Sequence, residues 1–359
     1  MYQVRPFQRG EEEEIVDVIE QAFGTWPFYD IDCSPLDHWK WKHLDNPIKD
    51  SLINVAVSDG KIIGCYHADI QRLFLKGETI LWGDGVDACV NPNYRKMGIY
   101  NKLLDYTFDT MRENSVMYWR GFTVNPILIE TLSKRYSYFP NLLQNLFHVH
   151  DINLHLQKKT ISYSNVKKIG FKTLMLFRNT QKRILESRLN DSINVKMIER
   201  FDESIGMFWE KIVNDYDCIQ ERSLKYLNWR YCDPRGGAYH ILQAEKDGSV
   251  NGFAILRINK KQDYWIGYIV DILTLTDEAR ASLIDTAIQY FKENDVNETR
   301  IWIDKNIRTS RILNSRGFLK NRGKVHLFYV PLQSEDKLKM LNGNKRNRMH
   351  FTYGDTDLV

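Results

Sequence analysis

Cysteine is scarce in this 359-residue chain: Cys33, Cys65, Cys89, Cys218 and Cys232 are odd in number, scattered, and never spaced as C-x-x-C. That pattern excludes a disulfide framework and a thiolate zinc site, and reduced thiols in the cytoplasm are the expectation. No apolar run approaches the roughly 18 residues that a membrane-spanning helix needs, so no stable membrane insertion is expected. An excess of one charge is missing as well. Fifty Lys and Arg against 46 Asp and Glu leave +4, too little to point to nucleic acid. Met1 to Arg9 holds no apolar segment before the acidic Glu11 to Glu14, so no secretory leader is expected. With 43% hydrophobic and 27% charged residues the composition is globular, and the length suggests about two domains.

An internal repeat is present at an offset of 188. Trp41 falls on Trp229, Lys42 on Arg230, Asp45 on Asp233, Ile53 on Ile241, Ala56 on Ala244, Asp59 on Asp247, Gly60 on Gly248 and Gly64 on Gly252. This shared core reads as a Trp-basic pair ending a helix, a strand, an Asp-Gly hairpin turn and a second strand. Further on, Val86-Asp87 is answered by Val270-Asp271. Helical spacing at Leu103, Leu104, Phe108 and Met111 is answered by Leu283, Ile284, Ala287, Ile288 and Phe291. Strands are predicted at Met117 to Val124 and Thr299 to Asp304, each followed by a helix ending near Ser137-Tyr138 or Gly317-Phe318. Each half is therefore expected to be a mixed α/β (α+β) layer: strand, helix pair, hairpin of strands, central strand, helix, strand, helix, strand. The expected organisation is a first domain over 1–150, a basic amphipathic segment over 151–190, a second domain over 191–332 and a tail over 333–359 with a final strand. The basic stretch Ser162 to Leu189 reads as a helix bridging the domains or lying on a membrane surface.

The chemistry gathers in the segment Val86 to Leu104. An apolar strand passes through Pro92 into a loop carrying Arg95, Lys96 and Gly98, and then directly into an amphipathic helix. Such a loop is an anion cradle. The first-turn N–H groups of the helix lack intrahelical partners, the macrodipole presents its positive end, and Gly98 lets a phosphate approach the backbone.

With Arg95-x-x-Gly98 after that strand, the sequence resembles the GNAT superfamily of acyl-CoA-dependent N-acyltransferases; Tyr100 stands where the family has a small residue. The resemblance extends to Val4-Arg5-Pro6-Phe7, to the Asp59 to Gly64 hairpin and to Asn125-Pro126, and more faintly to residues 193 to 330. It implies two tandem GNAT-like halves, the first binding acetyl-CoA as co-substrate through Ala88, Cys89, Val90, Arg95, Lys96, Met97, Gly98, Ile99, Tyr100 and Asn125. The pantetheine arm would lie as an added strand beside Ala88 to Val90, and a backbone N–H near Cys89 would polarise the thioester carbonyl. By position, the resemblance also implies Asp84 as general base, set between Gly83 and Gly85, and Tyr136 or Tyr138 as the acid for the departing thiolate. Period-2 alternation puts Asp84, Val86 and Ala88 on one strand face and Asp87 with Cys89 on the other.

In the second half the cradle position reads Leu275-Thr276-Asp277-Glu278-Ala279-Arg280, without glycine and with two acids that would repel a pyrophosphate. That half is expected to keep the fold without the cofactor, and to wall the acceptor cleft or dimerise. His148, His150 and His155 have no acidic or cysteine partner at ligand spacing, so no metal is expected. Trp26, Trp39, Trp41, Tyr29 and His38 beside Asp30, Asp32 and Asp37 could border an amine or sugar acceptor or pack the core, and the recurrence of Trp41 as Trp229 favours packing. The function expected is N-acetyl transfer to a small-molecule amine: an amino sugar, amino acid or polyamine. A Fem-type aminoacyltransferase drawing on aminoacyl-tRNA and a non-catalytic CoA-binding module are the alternatives.

Overall fold

The computed structural model describes residues 1–27, 31–123, 126–151, 155, 193–261, 263–304, 307–321, 323, 325–341 and 348–357. In chain order its elements are β1 (Gln3–Pro6), α1 (Glu12–Phe23), α2 (Pro35–His43), β2 (Leu52–Ser58), β3 (Lys61–Leu75), β4 (Glu78–Val90), α3 (Ile99–Glu113), β5 (Tyr118–Thr123), α4 (Pro126–Ser133) and β6 (Ser137–Val149). There follow β7 (Asn194–Ile198), α5 (Ser204–Ile212), β8 (Cys218–Gln220), α6 (Leu224–Cys232), β9 (His240–Lys246), β10 (Ser249–Lys261) and β11 (Tyr264–Thr274). The chain closes with α7 (Asp277–Glu293), β12 (Glu298–Ile303), α8 (Ile307–Ser315), β13 (Leu319–Lys320), β14 (Val325–Pro331) and β15 (Met349–His350). The predicted order of elements recurs in both halves, and the fold is the mixed α/β class. The amphipathic stretch Ser162 to Leu189 lies outside the described residues. Among the described residues no helix is long and apolar enough to cross a membrane.

Two compact units are present, one made of Met1–Pro140, Tyr216–Gly237 and His326–Met349, the other of Asn141–Asp215, Ala238–Val325 and His350–Val359. The first thus takes in Tyr216–Gly237, from within the range 191–332 expected for the second half. In the first unit the strand order is β1-β2-β3-β4-β5-β14, with β8 on the end of β3; β4 and β5 run parallel and their neighbours antiparallel. In the second unit the order is β6-β12-β11-β10-β9-β7, with β11 and β12 parallel.

Local chemistry explains the elements that position the site. Both Asp-Gly hairpins turn with positive φ at each residue, 51° and 76° at Asp59 and Gly60, 50° and 75° at Asp247 and Gly248, the geometry of a type I′ turn. Ser34 caps α2 by accepting from the Asp37 N–H, with Pro35 in the first helical position. One face of the first sheet buries Ile15, Val18 and Ile19 of α1 and Trp39 of α2 against Val55, Cys65 and Cys89. The other buries Leu103, Phe108 and Met111 of α3 against Tyr66, Ile70 and Trp119. In the second unit α7 seats Leu283, Ile284, Ala287 and Phe291 on Ala254, Leu256, Ile269 and Ile301.

The repeat converges on one contact. The indoles of Trp41 and Trp229 stack at 5.1 Å, and each Nε1–H donates to the other's backbone oxygen, at 3.0 and 3.1 Å. Both bonds span the repeat offset, so duplicated residues pack on one another, Trp41 fully buried and Trp229 half-buried. Two predicted boundaries are corrected. Helix α4 stops at Ser133, because the Tyr136 N–H closes its last turn on Leu132 O and Ser137 already begins β6. Likewise α8 stops at Ser315, with Gly317 at φ 85°. At the other end, Met349–His350 forms a two-residue strand, and Thr352 then caps a short turn with Asp355.

Candidate active site

The β4–β5 pair ends at Asp84 opposite Arg120; beyond it Gly85–Val90 and Gly121–Thr123 have no mutual register, and β5 follows β14 instead. A gap therefore opens in the sheet. Its floor is a β-bulge: Cys65 stands opposite Cys89 and His67 opposite Val86, so Asp87 and Ala88 together face Tyr66 alone. Asp87 takes φ 45°, in the left-handed region that Asp tolerates better than most residues.

The bulge corrects the predicted alternation. Asp84 stands opposite Asp69 and Val86 opposite His67, and residues directly opposite across an antiparallel pair share a face. Asp69 and His67 meet α2, so Asp84 and Val86 lie on the α2 side together with Asp87 and Cys89, while Ala88 packs into the α3-side core.

On the α2 side the gap is lined by buried ionic groups. The Asp84 carboxylate is 3.2 Å from Nη2 of Arg120, which also donates to Gln220 at 3.0 Å. The Arg120 guanidinium lies over Trp82 at 4.2 Å, and its Nε and Nη1 are buried with no hydrogen-bond partner among the described residues. Beside it runs a chain. Lys42 Nζ lies 2.7 Å and His43 Nε2 3.1 Å from Asp87, and His43 Nδ1 lies 2.8 Å from Asp69, which accepts from Ser51 at 2.6 Å. Burial alone would lower the His43 pKa, yet Asp69 and Asp87 carry it above the usual value; burial would likewise raise the two carboxyls, and their cationic neighbours hold both below theirs. His67 stacks on His43 at 4.2 Å, accepts from Trp39 Nε1, and is pushed down to about 3 by burial and by the His43 charge.

On the α3 side the gap is aromatic. A Cβ on Gly85 would fall 2.4 Å from both Trp119 Nε1 and Tyr66 OH, and Trp119 Nε1 donates to that hydroxyl at 3.0 Å. Tyr136 lies against Trp119 at 5.5 Å, and burial raises its phenol pKa. Tyr138 stacks instead on Phe328 of β14 at 5.3 Å. The structure thus brings Asp84 and Tyr136 to opposite faces of one opening and sets Tyr138 beside β14.

The predicted cradle continues from β4. Asn91–Asn93 turn on the Asn91 side chain, Lys96 and Gly98 take φ 67° and 76°, and α3 starts at buried Ile99 without a side-chain cap. Its first intrahelical bond is Lys102 N–H to Gly98 O, so the N–H groups of Ile99, Tyr100 and Asn101 have none. Among the described residues, its chain neighbours apart, no atom comes within 4 Å of where a Gly98 Cβ would stand. Arg95, Lys96 and Met97 are exposed: Arg95 donates to Ala22 O at the end of α1, and Met97 O accepts from Tyr2. Tyr100 is half exposed and leans on Tyr66 at 6.1 Å. Ala88 and Val90 are half-buried on the gap edge, and buried Cys89 sits with Sγ 3.4 Å from Cys65. Asn125 lies outside the described residues, as do Tyr29 and Asp30. Of the early aromatics, Trp39 and Trp41 are fully buried and Trp26 donates to Asp87.

The second unit has the same frame with different chemistry. A Gly267 Cβ would strike Phe291 of α7 as a Gly83 Cβ would strike Met111 of α3, and β12 joins β11 as β5 joins β4. That register puts Tyr268 at the place of Asp84, Arg257 at that of Asp69 and Arg300 at that of Arg120, while Asp271, three residues beyond Tyr268 as Asp87 is beyond Asp84, pairs with Ile255 because the irregularity here falls at Val270. Thr276 caps α7, with Asp277 and Glu278 in its first turn. The chain's own tail lies here, His350 and Thr352 bonding Asp271 and Tyr353 stacking on Trp302 at 4.1 Å. Among the described residues no group of His, Cys, Asp and Glu could hold a metal ion.

Sequence reasoning passed over Lys42, His43, Asp69 and Arg120. A signal existed for Lys42: it lies in the Trp-basic pair that the repeat duplicates.

The family described as acetyltransferase (GNAT) domain matches residues 3–124. No curated protein matches the sequence. Among solved structures, a probable N-acyltransferase of unknown function from Enterococcus faecalis V583 is similar at 11% identity and TM-score 0.62, over 93% of this chain and 74% of that one. Saccharomyces cerevisiae N-myristoyltransferase with bound myristoyl-CoA is similar at 10% and 0.59, over 92% and 79%. Eis1 from Mycobacterium abscessus is similar at 12% and 0.55, over 93% and 74%. At these identities the likeness is one of fold.

Proposed function

We propose that the first unit, whose residues 3–124 match the acetyltransferase (GNAT) domain family, transfers an acyl group, acetyl in the simplest case, from acyl-CoA to the amine of a small molecule by direct attack. The observation that carries this reading is the gap beyond Asp84–Arg120, with a bulge at its floor, on the strand that leads into the glycine-opened start of α3. The free N–H groups, Arg95, Lys96 and the open space over Gly98 fit a pyrophosphate, and the unpaired edge Ala88–Val90 fits an extended arm. When bound, acyl-CoA supplies an activated thioester; everything else falls to the chain's residues.

The gap is a window through the sheet, and its two sides divide the work. Asp84 on the α2 side takes the proton of the incoming ammonium, which at a pKa of ~10 is not a nucleophile at neutral pH. Peptide N–H groups of the bulge meet the charge that develops on the thioester oxygen. Tyr136 on the α3 side, its phenol kept protonated by burial, donates toward the departing sulfur. The second unit, with Tyr268 and Arg257 for Asp84 and Asp69 and a capped, acidic start to α7, we assign no acyl-CoA site. Five free cysteines suit a cytoplasmic enzyme.

The test is calorimetric titration with acetyl-, octanoyl- and myristoyl-CoA beside a Gly98→Glu variant. Wild type should bind one acyl-CoA per chain, and the variant, which adds bulk and negative charge at a left-handed position, should lose about 30-fold or more in affinity. Absence of binding to all three sinks the reading, and two sites per chain sink the assignment of the second unit. Once an amine is found, Tyr136→Phe should lower kcat about tenfold while Tyr138→Phe stays within twofold; equal losses would remove Tyr136 from its role.

A further inference from the structure

Asp87 is the extra residue of the bulge, yet its side chain does not turn to the gap. The carboxylate is 7% exposed and receives three donors from two other places in the chain: Trp26 Nε1 at 2.9 Å on Oδ1, then Lys42 Nζ at 2.7 Å and His43 Nε2 at 3.1 Å on Oδ2, the latter two from α2. His43 is itself held from behind by Asp69, and Trp26 is braced edge-on against His38 at 5.2 Å. A buried ion pair of this kind adds little net stability over an apolar filling, since desolvation consumes most of the attraction. What it fixes is position: a left-handed residue in the middle of a strand costs roughly 1–2 kcal/mol and relaxes unless its surroundings hold it. Here three donors hold it.

We propose that Asp87 is a positioning residue for acyl transfer: gripped by Trp26, Lys42 and His43, it locks the bulge so that the Ala88 and Cys89 peptide groups stay aimed at the thioester oxygen. The proposal rests on the acyltransferase reading and assigns a role to a carboxylate of the α2 side that three side-chain donors already engage. Asp87 touches neither substrate nor acyl donor; it acts through the backbone it belongs to.

Asp87→Asn keeps the size, the tolerance of positive φ and an acceptor for Trp26, while removing the charge that Lys42 and His43 grip. The variant should lose about 20- to 50-fold in kcat with the acyl-CoA Kd within threefold of wild type. With acetyl-CoA labelled by carbon-13 at the carbonyl, the infrared stretch of the bound thioester should move back toward its position in water, which a merely structural role would not cause. Trp26→Phe removes one donor and should lose about three- to tenfold in kcat, and it decides the matter should Asp87→Asn not fold. A folded Asp87→Asn protein with kcat within twofold and an unmoved carbonyl band overturns the proposal, as does an unchanged kcat in Trp26→Phe. A loss confined to Kd overturns it too, by making Asp87 part of the donor groove. Wild-type turnover beside unaffected variants removes this inference alone; a wild type that binds no acyl-CoA removes it together with the reading beneath it.

Discussion

Asp84→Asn should slow acyl transfer by about 10²- to 10³-fold, or roughly 2.7–4 kcal/mol of barrier, and leave acyl-CoA binding unchanged. The asparagine preserves the shape of the side chain and an oxygen for Arg120, whose Nη2 lies 3.2 Å from the carboxylate, but it cannot take a proton. Asp84 is the last residue of β4 that β5 still pairs, so the carboxylate stands where the sheet opens and on the face opposite Trp119 and Tyr136. Attack from the α2 side with departure toward the α3 side lets base and acid act on the two ends of one reaction without meeting. Nature supplies a control in the same chain. Tyr268 occupies the corresponding register position in the second unit, so Tyr268→Phe should leave turnover within twofold. Steady-state release of CoA thiol, measured on both variants with a saturating amine, checks both statements. A loss below fivefold in Asp84→Asn would leave the proton to solvent and Asp84 to the support of Arg120.

What the sequence disclosed, and what it withheld, divides along the range of the interactions. The Asp-Gly turns and the glycine that opens α3 are local: Asp59-Gly60 and Gly98 adopt the positive φ that their chemistry permits, so the words could be read singly. The repeat disclosed the two halves because one ordered set of elements recurs. It did not disclose that Trp41 and Trp229 would meet, since recurrence says nothing of which copies touch. The bulge at Asp87 was hidden for a different reason. One additional residue in a strand shifts every later side chain to the other face, and no residue type announces it. Alternation therefore misplaced Asp84 and Val86 relative to Asp87 and Cys89. Lys42, His43 and Asp69 were illegible as a group because they come from α2 and β3, and only the packing of that helix on that strand makes them one network. The choice between Tyr136 and Tyr138 had the same origin: two residues apart in sequence, they lie against Trp119 and Phe328 respectively.

The first unit should lose stability steeply in mild acid, and two histidines set the slope. His38 and His67 are both fully buried; burial holds His38 down at about 4 and His67 at about 3, against 6.5 for the exposed side chain. His67 Nε2 accepts from Trp39 and can do so only while uncharged; the His38 Nδ1–H donates to Arg235 O at 2.6 Å, a bond that favours the charged ring and offsets only part of its burial. A folded-state pKa below the unfolded one means that the unfolded chain binds the proton first. The stability from these two groups is therefore complete above pH 6.5 and drains as pH falls, by about 1.4 kcal/mol per pH unit for each group. Between pH 6.5 and 4.5 the pair should remove on the order of 4 kcal/mol. His43 has the opposite sign: its raised pKa makes its contribution complete below 6.5 and lost as pH climbs through the raised value. Asp69 and Asp87, held below the usual carboxylate range, withdraw theirs only as pH falls beneath about 4. Urea unfolding at pH 7, 6, 5 and 4.5, followed for wild type and His67→Gln, isolates one of the two protons. The glutamine still accepts from Trp39 and does not titrate, so the variant should gain about 2 kcal/mol on wild type between pH 7 and pH 5. Parallel curves for the two proteins would mean that His67 is protonated in the folded state, with Asp69 and Asp87 sharing their charge with both stacked rings rather than with His43 alone.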